Sequence, residues 1–208
     1  MATTMPDFPA TLNIDYPNRE LDRLTTFFRP LTLIPIVIVL GLITGPAVRA
    51  SSANTAVGAG GVLFLATMLM LVFRQKYPRW WFDWNLALAR FSTRVSAYAA
   101  LLTDEYPSTD SDQSVHLDIP YPDAPRELNR WLPLVKWFLA IPHYIVLWFL
   151  AVAAVVSIII AWIAILFTGR YPRGLFDFVA GVFRWSLRVA AYAFLLTTDR
   201  YPPFSLSA

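Results

Sequence analysis

The sequence predicts an all-α integral membrane protein built from two tandem repeats, each a membrane helical hairpin followed by an amphipathic helix with an Asp/Arg/Arg/Tyr stripe. Three observations predict it. No charged residue occurs from Pro30 to Val48, from Ala50 to Phe73, or from Trp137 to Gly169. The chain echoes itself: YPRWWFDWNLALARFSTRVSAYAALLTDEYPS at 77–108 returns as YPRGLFDFVAGVFRWSLRVAAYAFLLTTDRYPPF at 171–204. In both copies the segment after Tyr-Pro-Arg carries one polar stripe in apolar surroundings.

Composition agrees. The 208 residues are 57% hydrophobic and 15% charged, against about 25% charged in an ordinary soluble domain. Crossing the hydrocarbon core takes about 20 apolar residues, whereas runs of about 10–14 suit a buried core helix. The net charge of +3 and pI near 9.3 do not point to nucleic acid. The arginines flank apolar segments rather than line one soluble face, as membrane-flanking cations do. The absence of cysteine removes disulfides, thiol catalysis and Cys-based metal sites. The first thirty residues contain Asp7, Asp15, Glu20 and Asp22 and lack the basic start and apolar stretch of a cleaved signal peptide.

In chain order, residues 1–11 read as an N-terminal tail, 12–108 as repeat one, 109–116 as a linker, 117–204 as repeat two and 205–208 as a C-terminal tail. Leu12-Asn13-Ile14-Asp15-Tyr16-Pro17 matches Leu117-Asp118-Ile119-Pro120-Tyr121-Pro122. Alternation before Tyr-Pro predicts a short extended piece in each repeat, the two paired with one another. Arg19-Glu20-Leu21-Asp22-Arg23 matches Arg126-Glu127-Leu128-Asn129-Arg130, and Pro35 and Pro142 each follow the matched leucine by fourteen residues. The repeats thus agree in register. Arg19, Arg23, Arg126 and Arg130 are placed at headgroup level, with Phe27, Phe28, Trp131 and Trp137 as interface anchors.

The apolar segments Leu31–Ile43 and Val62–Phe73 are separated by GPAVRASSANTAVGAGG, which cannot continue a helix. This reads as a hairpin. The corresponding 131–168 stretch lacks such a loop and admits either two helices turning near Ala151–Val156 or one long tilted helix. With a hairpin in each repeat, Arg49 lies on one side of the membrane and the other 16 of 17 Lys and Arg on the opposite side. That asymmetry favours two hairpins, a multi-pass topology and both termini in the cytoplasm.

The stripes are Asp83, Ala87, Arg90, Arg94 and Tyr98 in repeat one, and Asp177, Gly181, Arg184, Arg188 and Tyr192 in repeat two. Spacings of four, three, four and four put each set on one helical face. An Arg at mid-bilayer costs about 2.5–3.5 kcal/mol. Two placements avoid that cost: a helix in the interface plane, or stripes facing each other with each Asp pairing an Arg of the other copy. Ion pairs that fix packing are the simpler role. Paired guanidiniums also suit an anionic headgroup or ligand phosphate.

His143 stands beside Pro142 in an apolar run with no second ligand at metal-binding spacing. Pro35 and Pro142 read as helix starts or kinks. In the exposed Thr103–Asp123 stretch between the repeats, Asp104, Glu105, Asp110, Asp112, Asp118 and Asp123 lack the spacing of a calcium loop and read as a solvated acidic segment. No catalytic motif is found, so no enzymatic activity, cofactor or metal is expected.

LFTGRYPRGLFDF at 166–178, Arg184-Trp185-Ser186-Leu187-Arg188-Val189, Ala191-Tyr192 through Tyr201-Pro202-Pro203-Phe204, and Ile141-Pro142-His143 upstream resemble the bacterial membrane family called domain of unknown function 4389, common in actinobacteria. Repeat one departs from the pattern, with Trp80-Trp81 for Gly-Leu and Ile34-Pro35-Ile36 for the Ile-Pro-His triplet. The resemblance implies a membrane location, here the bacterial inner membrane, and no particular reaction. The expected function is a non-catalytic accessory or scaffolding subunit of a larger membrane assembly. The alternative is a protein that binds or moves lipids or anionic solutes through the paired arginines. Expected partners are membrane lipids, including anionic phospholipid, and other integral membrane proteins, without nucleic acid.

Overall fold

In the computed structural model, residues 8–17, 20–44, 59–109 and 111–207 are described. The first element is β1, Thr11–Ile14, which pairs antiparallel with β2, Val115–Asp118, so that Leu12 faces Leu117 across the ladder. The extended pieces expected before Tyr-Pro are therefore strands, and they pair with one another. The described chain is mostly helical, as expected, and this two-stranded ribbon is an addition to the all-α description. Apolar and polar residues alternate along both strands, burying Leu12, Ile14, Val115 and Leu117. Residues assigned to tails and linker take part: Thr11 lies in β1, Val115 and His116 lie in β2, and Ala10 is buried.

Helix α1, Arg23–Thr44, follows Asp22, whose carboxylate accepts the Leu24 N–H at 2.9 Å, satisfying a donor the first turn leaves open. It runs on through Pro30 and Pro35. Helix α2 is Ala59–Arg74. The Gly/Ala/Ser loop expected between them, with Arg49, falls at 45–61 and is mostly outside the described residues. Helix α3, Arg79–Ala99, starts behind an extended Pro78, and α7, Arg173–Ala193, behind an extended Pro172. Proline there fixes φ and supplies no N–H that would need a partner. Leu101 and Leu196, just past these helices, adopt left-handed φ of 64° and 56°. That conformation is unusual for a bulky side chain, and burial of both leucines holds it in place.

Between α3 and α7 come α4, Ala124–Glu127, α5, Pro133–Leu139, and α6, Ile141–Thr168. Here the two-hairpin expectation is corrected. Helix α6 runs unbroken through Ala151–Val156. After Pro142 it contains no proline or glycine until Gly169, whose φ of 72° caps its end. A chain of Ala, Val, Ile, Leu and aromatic residues has nothing with which to turn. The side-of-membrane count that relied on a second hairpin no longer holds.

The packing has layers. Helix α7 is central, with Val179, Ala180, Ala191 and Ala193 fully buried. It contacts α6 and β1, while α3 contacts α1 and β2. Among the described residues, helices α1 and α6 are long and apolar enough to cross a membrane.

Candidate functional site

The arginines expected on one face of each amphipathic helix converge. Arg90 and Arg94 from α3, Arg184 and Arg188 from α7, and Arg200 line one cavity of about 870 Å³ beside the β1–β2 ribbon. Each stripe arginine is steered by a backbone carbonyl. Arg90 Nε donates to Leu117 O at 3.0 Å, and Arg184 Nε to Leu12 O at 3.1 Å. Each helix thus clamps the strand that belongs, in sequence, to the other half. Arg94 Nη1 donates to Ser108 O at 2.7 Å; Arg188 donates to Ser205 O at 3.3 Å and to Ser207 O. These last bonds strap the segments that follow α3 and α7 over the cavity. The nominal tail 205–207 is therefore part of the site, and a Cβ on Gly181 would lie 2.9 Å from both Leu206 Cβ and Leu206 O. Only glycine lets the strap come so close.

Carbonyl partners occupy guanidinium donors without cancelling charge. Each guanidinium has five donors, and Arg94 Nε is buried without a hydrogen-bond partner. Among the described residues the lining holds five arginines and two carboxylates, Asp112 and Asp118, the latter 3.5 Å from Arg90. A partly enclosed concavity with such an excess concentrates anions, and guanidinium forks match the oxygens of phosphate.

The rest of the predicted stripe goes elsewhere. Asp83 is exposed and lies 4.0 Å from Arg79 of its own helix, and Asp177 is exposed on α7. The cross-pairing of Asp83 and Asp177 with arginines of the other copy is therefore corrected; the arginines' partners include backbone carbonyls and, for Arg90, also Asp118. Tyr98 and Tyr192 are buried away from the cavity. The Tyr98 ring lies 4.3 Å beneath the Arg29 guanidinium, and the Tyr192 ring 5.2 Å from Lys136 Nζ.

Arg29 and Lys136 are what sequence reasoning missed. Arg29 is paired with Asp104, and Lys136 Nζ sits 2.6 Å from Asp199. Burial pushes the Lys136 ammonium below its ordinary pKa, and Asp199 works against that shift. The signal was available: both cations stand eight residues after the matched Leu21 and Leu128. Asp104 is thus not part of a solvated linker. Glu105 accepts the Ser114 N–H at 2.9 Å, and no cluster of three metal-ligating side chains occurs among the described residues. Asp110 is outside them.

Tyrosines complete the clamp. Tyr16 donates to Tyr171 O at 2.6 Å, Tyr121 donates to Tyr77 O, and Arg173 and Arg79 stack on Tyr16 and Tyr121 respectively. Burial pushes the Tyr77 phenol up to about 12 and raises that of Tyr171; both stay neutral under ordinary conditions. His143, fully buried, accepts the Trp185 Nε1–H at 3.1 Å through Nδ1 and stacks on Phe204.

Residues 131–205 match the family described as Domain of unknown function (DUF4389), the family that the sequence resembles. The match takes in α5, α6, α7 and Arg200. No curated protein and no solved structure matches the chain.

Proposed function

We propose that this chain is a membrane protein of the bacterial inner membrane that holds a phosphate-bearing anion in the cavity between two copies of one folding unit, without catalysis of its own. The observation that carries the reading is the convergence of five arginines on one concavity whose described lining holds two carboxylates. The two-copy reading is supported by contacts that recur in matched places: Arg90–Leu117 with Arg184–Leu12, Tyr16–Tyr171 with Tyr121–Tyr77, and Arg29–Asp104 with Lys136–Asp199. Membrane insertion is supported by the length and apolarity of α1 and α6. The anion is a phospholipid headgroup or a free phosphate compound, which share their recognition chemistry.

A second reading, an accessory subunit of a larger membrane assembly, is favoured by large aromatics left uncovered, among them Trp80 at 69% exposure and Trp148 at 62%. Interface anchoring and helix–helix docking both use such residues.

Native mass spectrometry of tagged protein drawn from its own membranes in mild detergent tests both. The anion reading expects a bound phospholipid or phosphate compound that is lost from Arg184→Ala/Arg188→Ala while the variant still elutes as folded protein. A stoichiometric set of partner proteins with an empty cavity supports the accessory reading instead.

A further inference from the structure

We infer that α6 lies along the plane of the bilayer, its outer face in the acyl layer, rather than across it. The inference rests on the membrane reading and concerns what the apolar faces meet and how. The buried residues Ala154, Ser157, Ala161 and Ile165 fall three or four apart on one side of α6, toward the protein. The exposed Ile145, Phe149, Val152, Val156 and Ile163 fall three, four or seven apart on the other side. Helix α1 is built alike, exposing Leu24, Phe27, Leu31, Ile34 and Ile38 while burying Thr26, Arg29 and Ile36. Each long apolar helix therefore has one face for the protein and one with nothing polar on it.

What flanks these helices decides their direction. Four residues separate the end of α6 from the start of α7, which meets the start of α6 again at His143–Trp185, so α7 lies alongside α6. Helix α1 enters beside the other end, where Trp162 Nε1 donates to Thr26 O at 3.1 Å and Leu21 N–H to Gly169 O at 2.8 Å. Standing α6 along the membrane normal would carry this flank into the hydrocarbon. The Arg29–Asp104 pair, one turn beyond Thr26, would sit inside the hydrocarbon layer. So would exposed Arg173 and Asp177 at the start of α7, with Tyr16 beneath Arg173 at the end of the ribbon. A charged side chain at the bilayer centre costs about 2.5–3.5 kcal/mol, and an open two-stranded sheet leaves edges that hydrocarbon cannot satisfy.

Laid flat, the same molecule puts the outer apolar faces of α1 and α6 in lipid and the ribbon, the Arg29–Asp104 pair and the arginine cavity on the aqueous side. The described cations that flank α6, among them Arg126 and Arg130 before it and Arg170 and Arg173 after it, then stay on one side. The positive-inside asymmetry is met without a second hairpin.

The test uses the full chain, whose lack of cysteine allows single labels. Phe149→Cys, Val156→Cys and Ile163→Cys, each spin-labelled in phosphatidylglycerol-containing vesicles, sample one face at seven-residue steps, and power-saturation measurements with oxygen and a water-soluble nickel chelate give their depths. The flat helix expects three depths within about 3 Å, all below the phosphates, since on a helix along the normal each step would move the label by about 10 Å. A graded series of depths overturns the in-plane inference and leaves the membrane reading standing. Three labels fully open to the nickel chelate overturn both. Circular dichroism and elution volume check that each variant is folded.

Discussion

Arg29 in the N-terminal half and Lys136 in the C-terminal half, both buried, occupy matching places and differ in chemistry. Arg29 reaches Tyr98 O at 3.0 Å, Thr103 O at 2.6 Å and the Asp104 carboxylate with one rigid fork. Lys136 reaches Thr198 O at 2.7 Å and Asp199 at 2.6 Å with a point charge. A guanidinium spans more acceptors and cannot shed its proton; an ammonium in the same pocket can. The N-terminal half is thus locked by a permanent charge and the C-terminal half by a removable one.

The largest effect is expected from Asp104→Asn, which strands a permanent buried charge. A loss of about 3–5 kcal/mol is expected, read by denaturation in detergent, with no recovery at alkaline pH. Asp199→Asn is expected to cost less, about 1–3 kcal/mol, because Lys136 can go neutral. The sign follows from its lowered pKa. Between that value and the ordinary 10.4 or so, the unfolded chain binds the proton and the folded chain does not, so stability rises with pH. Equal pH dependence in the two variants would erase the distinction.

A smaller contrast lies on the stripes. Gly181 of α7 touches the C-terminal strap, whereas Ala87, in the matching place on α3, is exposed. Gly181→Ala is expected to displace Leu206 at a cost of about 1–3 kcal/mol, read by denaturation in detergent. Ala87→Gly should lose at most about 1 kcal/mol in helix propensity. Smallest is His143→Ile with Trp185→Phe, which imports the Ile36–Phe91 packing of the other half. Removing both hydrogen-bonding partners together should change stability by under about 1 kcal/mol, while His143→Ile alone should cost more by orphaning the Trp185 N–H.

Much of this was legible from local pattern. Alternation at Leu12–Ile14 and Leu117–Ile119 announced strands, and the spacing of Arg90/Arg94 and Arg184/Arg188 put them on helical faces that now line the cavity. What failed needed three dimensions. A helix face says nothing about its partner, so backbone carbonyls could not be told from Asp83 and Asp177 as the arginines' acceptors. Asp104 sits in a polar segment, and only the fold brings Arg29 to it. The turn expected in α6 came from copying the other half onto a stretch that lacks its glycines.

Whether the arginines act together on one anion is tested most directly by calorimetric titration of the purified protein with inorganic phosphate and, separately, with phosphatidylglycerol in mixed micelles. Wild type and Arg90→Ala/Arg184→Ala, which removes one guanidinium from each half, are compared. Charge-assisted hydrogen bonds contribute about 1.5–3 kcal/mol each, so the expected result is one equivalent bound by wild type and at least about tenfold weaker binding by the folded double variant. Which probe binds identifies a free phosphate or a headgroup. Equal binding by wild type and variant, or binding of neither probe, would contradict the arginine site.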